Sequence, residues 1–339
     1  MDVNSGQTDL SESNMETYLG DILTNDGKNI KNILARKAKG YGIIDRIINI
    51  LDGVCFGPFQ YEVALMLRNS LFLNGILSNS EAWYGLTIPE VTHLEQIDEI
   101  LIRKILEAPS TTPKCMLYLE TGCKPIRFTI QTRRLMFLQY ILKEDSKSLI
   151  SMFFHAQNSQ PHKNDWALTC KKDLEELKLE LTFDEIKSLS KQRFMTKVSK
   201  AVTKLALSYL ITEKQKLTKV LHISYSVLKM EKYFLPNATS IKMVKFIFHA
   251  RSRMLDLKSN YKNKVHADNH CPVCKDPSSV DSQQHLLECA SLADDLMIQQ
   301  SETGPAYDDL FSTDVKKIIS VAKVLADRFQ KRKNILNTK

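Results

Sequence analysis

A chain of 339 residues, 43% hydrophobic and 25% charged, holds enough apolar side chains to bury one large core or two ordinary ones. It has no apolar run near the eighteen residues that a membrane span needs, and its polar, acidic start does not read as a secretory signal. An intracellular protein of the nucleus or cytoplasm is therefore expected, with no membrane partner. The net charge of +8 hides an asymmetry: residues 1–26 carry six acids and no base, whereas residues 191–264 carry 17 Lys or Arg against Glu213, Glu231 and Asp256.

The first 16 residues, rich in Ser, Asn, Asp and Glu, are expected to be disordered. Residues 18–23 read as a short strand and turn, closed by Thr24, Asn25, Asp26 and Gly27. Asp26 then suits the N-cap of a helix with Ile30, Ile33, Leu34, Ala38, Tyr41, Ile44, Ile47, Ile48 and Leu51 on one face. Lys28, Lys31, Arg36, Lys39 and Arg46 fall on the opposite face. Pro58 fits the first turn of a mostly buried helix through Val63, Met66, Leu67, Phe72, Ile76 and Leu77. Thr87 to Glu90 opens another, with Val91, Leu94, Ile97, Leu101, Ile102 and Ile105 inward, and Pro109 and Pro113 break it. Residues 131–143 place Arg133 and Arg134 beside Leu135, Phe137, Leu138, Ile141 and Leu142. A helical region over 17–154 results, and residues 155–165, with Asn158, Pro161 and Asn164, are the expected interdomain linker.

Residues 166–264 form the next expected region, helical and basic. Phe194, Val198, Ala201, Val202, Leu205 and Tyr209 make an inward stripe, and Lys197, Lys200 and Lys204 make a ridge beside it. A helix over 240–257 combines Met243, Val244, Ile247, Phe248 and Leu255 with Lys242, Lys245, Arg251 and Arg253. Solvated helix faces usually mix both signs; a block of one sign is the footprint of a polyanion site, because each neutralised phosphate releases condensed counterions. These seven cations are the candidate contacts to RNA or DNA. Tyr225, Tyr233, Phe246 and Phe248 could stack bases, but their helical spacing suits a core better.

Residues 265–292 contain Cys271-Pro-Val-Cys274 and His285-Leu-Leu-Glu-Cys289, three of the seven cysteines within nineteen residues. A tight turn aims Cys271 and Cys274 at one point, and His285 and Cys289, four apart, share a helix face, so the four suit a structural zinc ion with a closed tetrahedral shell. The alternative is free thiols packed as small hydrophobes. His266 and His270 read as exposed loop residues. An odd cysteine total and dispersed Cys55, Cys115, Cys123 and Cys170 argue against a disulfide framework. In residues 293–339, Ser312, Thr313 and Asp314 cap a last amphipathic helix through Val315, Ile318, Ile319, Val321, Ala322 and Leu325, ending in the basic tail Lys331, Arg332 and Lys333. The fold class expected is mainly α, with very little strand and no internal repeat.

Tyr18-Leu-Gly-Asp21, Glu81-Ala-Trp-Tyr-Gly-Leu86, Leu117-Tyr-Leu-Glu-Thr-Gly122 with Pro125-Ile126, Arg133-Arg-Leu135, and His285-Leu-Leu-Glu-Cys289 together resemble non-LTR (LINE-type) retrotransposon reverse transcriptases over residues 17–335. The likeness is to the part downstream of the polymerase palm. It implies that residues 17–154 are a thumb-like helical bundle, that Cys271, Cys274, His285 and Cys289 ligate the metal of a C-terminal zinc knuckle handling element RNA or target DNA, and that the rest of such an enzyme is a partner. The pattern departs where chemistry is made. No Tyr-x-Asp-Asp hairpin supplies carboxylates for two metal ions. Tyr307-Asp308-Asp309 lacks the spacer and follows the knuckle, so its acids read as helix-entry residues. Gly304-Pro305-Ala306 lacks the Pro-Asp of a restriction-like endonuclease, and no phosphate loop or nucleophile elbow is present. The expectation is a catalytically inactive, zinc-containing nucleic-acid-binding fragment of such an enzyme. The alternatives are a zinc-dependent protein-interaction module or a pseudogene product without function.

Overall fold

The structure is a computed structural model that describes residues 14–18, 20–162, 165–220, 223–260, 269–293 and 306–338. Strands β1 (Met15–Tyr18) and β2 (Asp21–Thr24) pair antiparallel, Met15 opposite Thr24 and Tyr18 opposite Asp21. They are the only sheet among the described residues. The helices are α1 (Ile30–Gly53), α2 (Gln60–Leu67), α3 (Leu73–Ile76), α4 (Ile88–Leu106), α5 (Lys114–Thr121), α6 (Ile126–Lys143), α7 (Leu149–Ser159), α8 (Trp166–Glu176), α9 (Phe183–Ser188), α10 (Lys191–Gln215), α11 (Ile241–Arg251), α12 (Gln283–Glu288) and α13 (Val315–Asn337). The chain is mainly α, as its periodicity predicts. No helix among the described residues is long and apolar enough to cross a membrane.

Helix starts follow local chemistry. Thr87 and Glu90 form a reciprocal cap before α4, the Thr87 N–H donating to Glu90 Oε2 at 2.7 Å, and Thr182 with Glu185 does the same for α9. Asp314 caps α13 by accepting from the Lys316 N–H at 2.9 Å. Asp26 does not cap α1. Its Oδ1 accepts from the Thr24 hydroxyl and the Lys28 N–H, which closes the turn before the helix. Of the residues expected to be disordered, Met15 and Glu16 lie in β1, and the first thirteen lie outside the described residues.

The fold divides into two compact units that do not follow chain order. The first takes Met1–Asp45, Ser70–Ile97 and Thr129–Val198; the second takes Arg46–Asn69, Asp98–Phe128 and Ser199–Lys339. In the first, Ile33, Ile44, Phe72, Ile76, Leu94 and Ile97 are buried. At Gly40 a Cβ would stand 2.9 Å from Ile97 Cγ1, so that glycine lets α1 approach α4 closely. Trp166 joins α6, α7 and α8 through edge contacts with Phe137 and Phe154, and its Nε1 donates to the Glu81 carbonyl. Residues 155–165 therefore do not link two domains: they run from α7 to α8 within this unit, residues 163–164 lying outside the described ones.

The second unit is organised around buried charge. Arg68 grips Asp98 with two hydrogen bonds, at 2.7 and 2.6 Å, and the Tyr118 hydroxyl donates to the same carboxylate. Glu120, fully buried, accepts from Arg251 Nε at 2.9 Å and from the hydroxyls of Tyr225 and Tyr233. Burial and then the Glu120 charge push both phenols well above their ordinary range. Next to Glu120, Gly122 has φ +70°, and a Cβ there would lie 2.2 Å from the Met230 backbone nitrogen, so residues 229–230 can cross only a glycine. Helices α11 and α13 close this unit, with Phe246 facing Phe329 at 6.1 Å.

Candidate metal centre and basic surface

The metal-ligand candidates lie in the second unit. The chain enters through a bridge between His270 and Val280 and the bond from the Cys271 N–H to the Ser279 carbonyl at 3.1 Å. The Lys275 N–H returns to the Cys271 carbonyl at 3.1 Å with Lys275 at φ +58°, a tight turn that brings Cys274 round to the side of Cys271. Asp276 accepts from the Ser278 N–H, ordering the loop. Ser282 then caps α12 by accepting from the His285 N–H at 3.1 Å, and α12 carries His285 and delivers Cys289 at its end.

These pieces bring Cys271 Sγ, Cys274 Sγ, Cys289 Sγ and a ring nitrogen of His285 within 4.8 Å of one another. Cys274 Sγ is 3.5 Å from His285 Nε2. In a tetrahedral site with Zn–S of about 2.3 Å and Zn–N of about 2.0–2.1 Å, ligand atoms stand roughly 3.5–3.8 Å apart, so the four atoms could hold one metal ion by drawing together. Cys271 and Cys289 are buried; Cys274 and His285 are half-buried. Hydrogen bonding from Ser279, followed by the Asp276 backbone, brings the Cys274 thiol down to about 6. Burial, then the neighbouring Cys271 and Cys274, pushes the Cys289 thiol up to about 11. A divalent cation would draw all three sulfurs to thiolate. His270 is exposed, and His266 lies outside the described residues.

The seven candidate phosphate contacts separate into two groups. Lys197, Lys200 and Lys204 are all exposed on α10, and Lys242 is exposed on α11. Lys191 and Arg193 are exposed as well, and α10 carries no acid before Glu213. The buried stripe of α10 is Phe194, Val198, Val202, Ala206 and Leu210; Ala201, Leu205 and Tyr209 flank it, half-buried. Lys245 is half-buried and paired with Glu107. The Arg253 guanidinium lies 5.0 Å from the ring of Tyr307 and 5.5 Å from that of Phe311, and burial lowers its pKa. Arg251 is a correction to the sequence reading: it is 2% exposed, holds Glu120 and donates to the Leu310 carbonyl, which leaves it unable to meet a phosphate. Tyr225, Tyr233 and Phe248 are buried core.

Sequence reasoning missed the residues that hold the segment with Cys271, Cys274, His285 and Cys289 in place. Asp281, fully buried, receives Arg332 Nε at 3.0 Å and Nη2 at 2.6 Å. Arg328 donates to the Leu286 and Leu287 carbonyls at the end of α12. Arg332, read from sequence as basic tail, continues the inward phase of Leu325 and Phe329, and that phase was the available signal. Asp308 and Asp309 lie on a single 3-10 turn, Tyr307–Phe311, Asp309 beside Lys317 at 3.4 Å. Compared with protein-family models, curated proteins and solved structures, the chain finds no match in any of the three.

Proposed function

We propose that this protein binds RNA or DNA through the basic face of α10 and is organised by one structural zinc ion held by Cys271, Cys274, His285 and Cys289. The observation that carries the reading is the run of exposed cations from Lys191 to Lys204 on a helix free of acids before Glu213. At 1.5 Å per residue, Lys197 and Lys204 stand about 10 Å apart along the axis, a span that suits successive phosphates for flexible lysine side chains. When bound, zinc supplies a crosslink between the Cys271–Cys274 turn and α12, and with four protein ligands leaves no open position for an activated water. The reading assigns binding and no bond-making step. Synthesis would require paired carboxylates on a hairpin, and Asp308 and Asp309 sit on a helical turn instead.

We further assign the chain to the thumb and knuckle part of a non-LTR retrotransposon reverse transcriptase, acting in the nucleus or cytoplasm with the remainder of such an enzyme as a partner. Support comes from the resembling residues, several of which have defined packing roles: Asp21 anchors the hairpin, Glu120 holds Arg251, and Gly122 admits residues 229–230. A second reading, as a protein-docking module, is favoured by one observation. Leu149, Met152 and Phe153 on α7 are 70%, 57% and 62% exposed at i, i+3 and i+4.

Fluorescence anisotropy with labelled single-stranded and duplex oligonucleotides tests the first reading. Replacing Lys197, Lys200 and Lys204 together by Glu is expected to weaken binding by at least about tenfold, with an unchanged circular dichroism spectrum. Unaltered affinity in a folded variant would refute the α10 surface.

A further inference from the structure

We propose that Arg328 and Arg332 of α13 are positioning residues for the metal centre, so that metal affinity and the docking of the C-terminal helix are thermodynamically linked. The inference rests on the metal reading of Cys271, Cys274, His285 and Cys289. Helix α12, which carries His285 and delivers Cys289, has only six residues, too few to persist by its own hydrogen bonds. Something outside it must hold its register against the Cys271–Cys274 turn.

Three sets of contacts do so. Ahead of α12, Asp281 is gripped by two nitrogens of Arg332, and its Oδ2 also accepts from the Lys258 N–H at 2.9 Å. The Asp281 N–H donates to the Asn269 carbonyl at 2.8 Å, which ties the approach to α12 to the approach to Cys271. At the far end, Arg328 places a guanidinium on the Leu286 and Leu287 carbonyls, where a helix C-terminus is short of donors and favours positive charge. Between them, Gln283 donates to the Ala250 carbonyl at 3.0 Å and accepts from the Tyr307 hydroxyl at 2.9 Å. Both arginines come from one face of α13, one turn apart. They hold the segment just before α12 and the end just before Cys289. Whatever fixes that segment preorganises two of the four ligands, and by reciprocity an ion that fixes the ligands holds α13 in place.

The test uses the full chain. Zinc stoichiometry is read by native mass spectrometry and affinity by competition with a chromophoric chelator, for wild type, Arg328→Met, Arg332→Met and the control Lys323→Met, whose lysine is exposed on α13. Each arginine variant is expected to keep one zinc per chain but bind it about 10- to 100-fold more weakly, with Lys323→Met unchanged. Hydrogen exchange of the wild-type α13 amides, with and without zinc, gives a readout that does not depend on a variant folding: removing zinc is expected to speed exchange at residues 325–337. A wild type that binds no zinc overturns the metal reading itself. Zinc bound equally by all variants, with α13 exchange indifferent to the metal, overturns the linkage and leaves the metal reading standing.

Discussion

Five basic residues that a charge count assigns to the surface are structural because they sit in phase with an apolar stripe. Arg36 follows Ile33 and binds Asp21; Arg134 precedes Leu135 and binds Asp173; Lys214 extends the stripe ending at Leu210 and donates to the Val220 carbonyl. Arg251 follows Ile247 and Phe248 to reach Glu120, and Arg332 follows Phe329 to reach Asp281. A buried ion pair adds little net stability when complete, but removing one partner strands the other charge, which costs about 3–5 kcal/mol. Glu120→Ala strips the acceptor from Arg251, Tyr225 and Tyr233 at once and is expected to lower the urea unfolding free energy by about that amount. The double replacement Glu120→Leu with Arg251→Met should cost less than Glu120→Ala alone. A loss under about 1 kcal/mol for the single change would show that the Glu120 cluster does not hold the second unit together.

Among the elements, those that sequence made legible are the ones whose determinants are local. The Thr87–Glu90 and Asp314 caps and the proline break between α4 and α5 are read within one or two helical turns, and the four candidate ligands fall within nineteen residues. The partner of Arg251 is 131 residues away, and no local rule pairs it with Glu120. Chain order also misled the domain boundary, because each compact unit is assembled from three separate stretches. The β1–β2 hairpin lies between these cases. Sequence placed a strand over 18–23 but not its partner Met15–Tyr18, nor its anchor: Asp21 Oδ1 accepts from Arg36 at 2.7 Å and Asn32 at 2.8 Å, and its Oδ2 accepts from Asn79 at 2.8 Å. Burial raises the Asp21 pKa, but the hydrogen bonds from Asn79, Arg36 and Asn32 outweigh it and hold the carboxyl below its usual value. A carboxyl so depressed contributes its stability fully above the unfolded pKa, near 3.9, and loses it as pH falls through the lower folded value. The protection of β2 amides, relative to the intrinsic exchange rate at each pH, is therefore expected to fall below about pH 4, and Asp21→Asn should remove that acid step. An acid step of the same size in Asp21→Asn would place its origin elsewhere.

For the whole molecule, the candidate metal ligands and the candidate phosphate contacts are different sets of residues. Cys271, Cys274, His285 and Cys289 could hold one metal ion, while the candidate phosphate contacts that are exposed are Lys197, Lys200 and Lys204 on α10 and Lys242 on α11. Binding through such cations is counterion release, whereas docking through the exposed apolar face of α7 would respond little to salt. Nucleic-acid binding through α10 is tested most directly by the salt dependence of oligonucleotide affinity, compared between wild type and the Lys197→Glu, Lys200→Glu, Lys204→Glu chain. Log affinity is expected to fall linearly and steeply with log salt for duplex, and the variant to lose about 2.7 of that slope, roughly 0.9 for each of three phosphates. A wild-type affinity indifferent to salt, or equal slopes in the two chains, would contradict it.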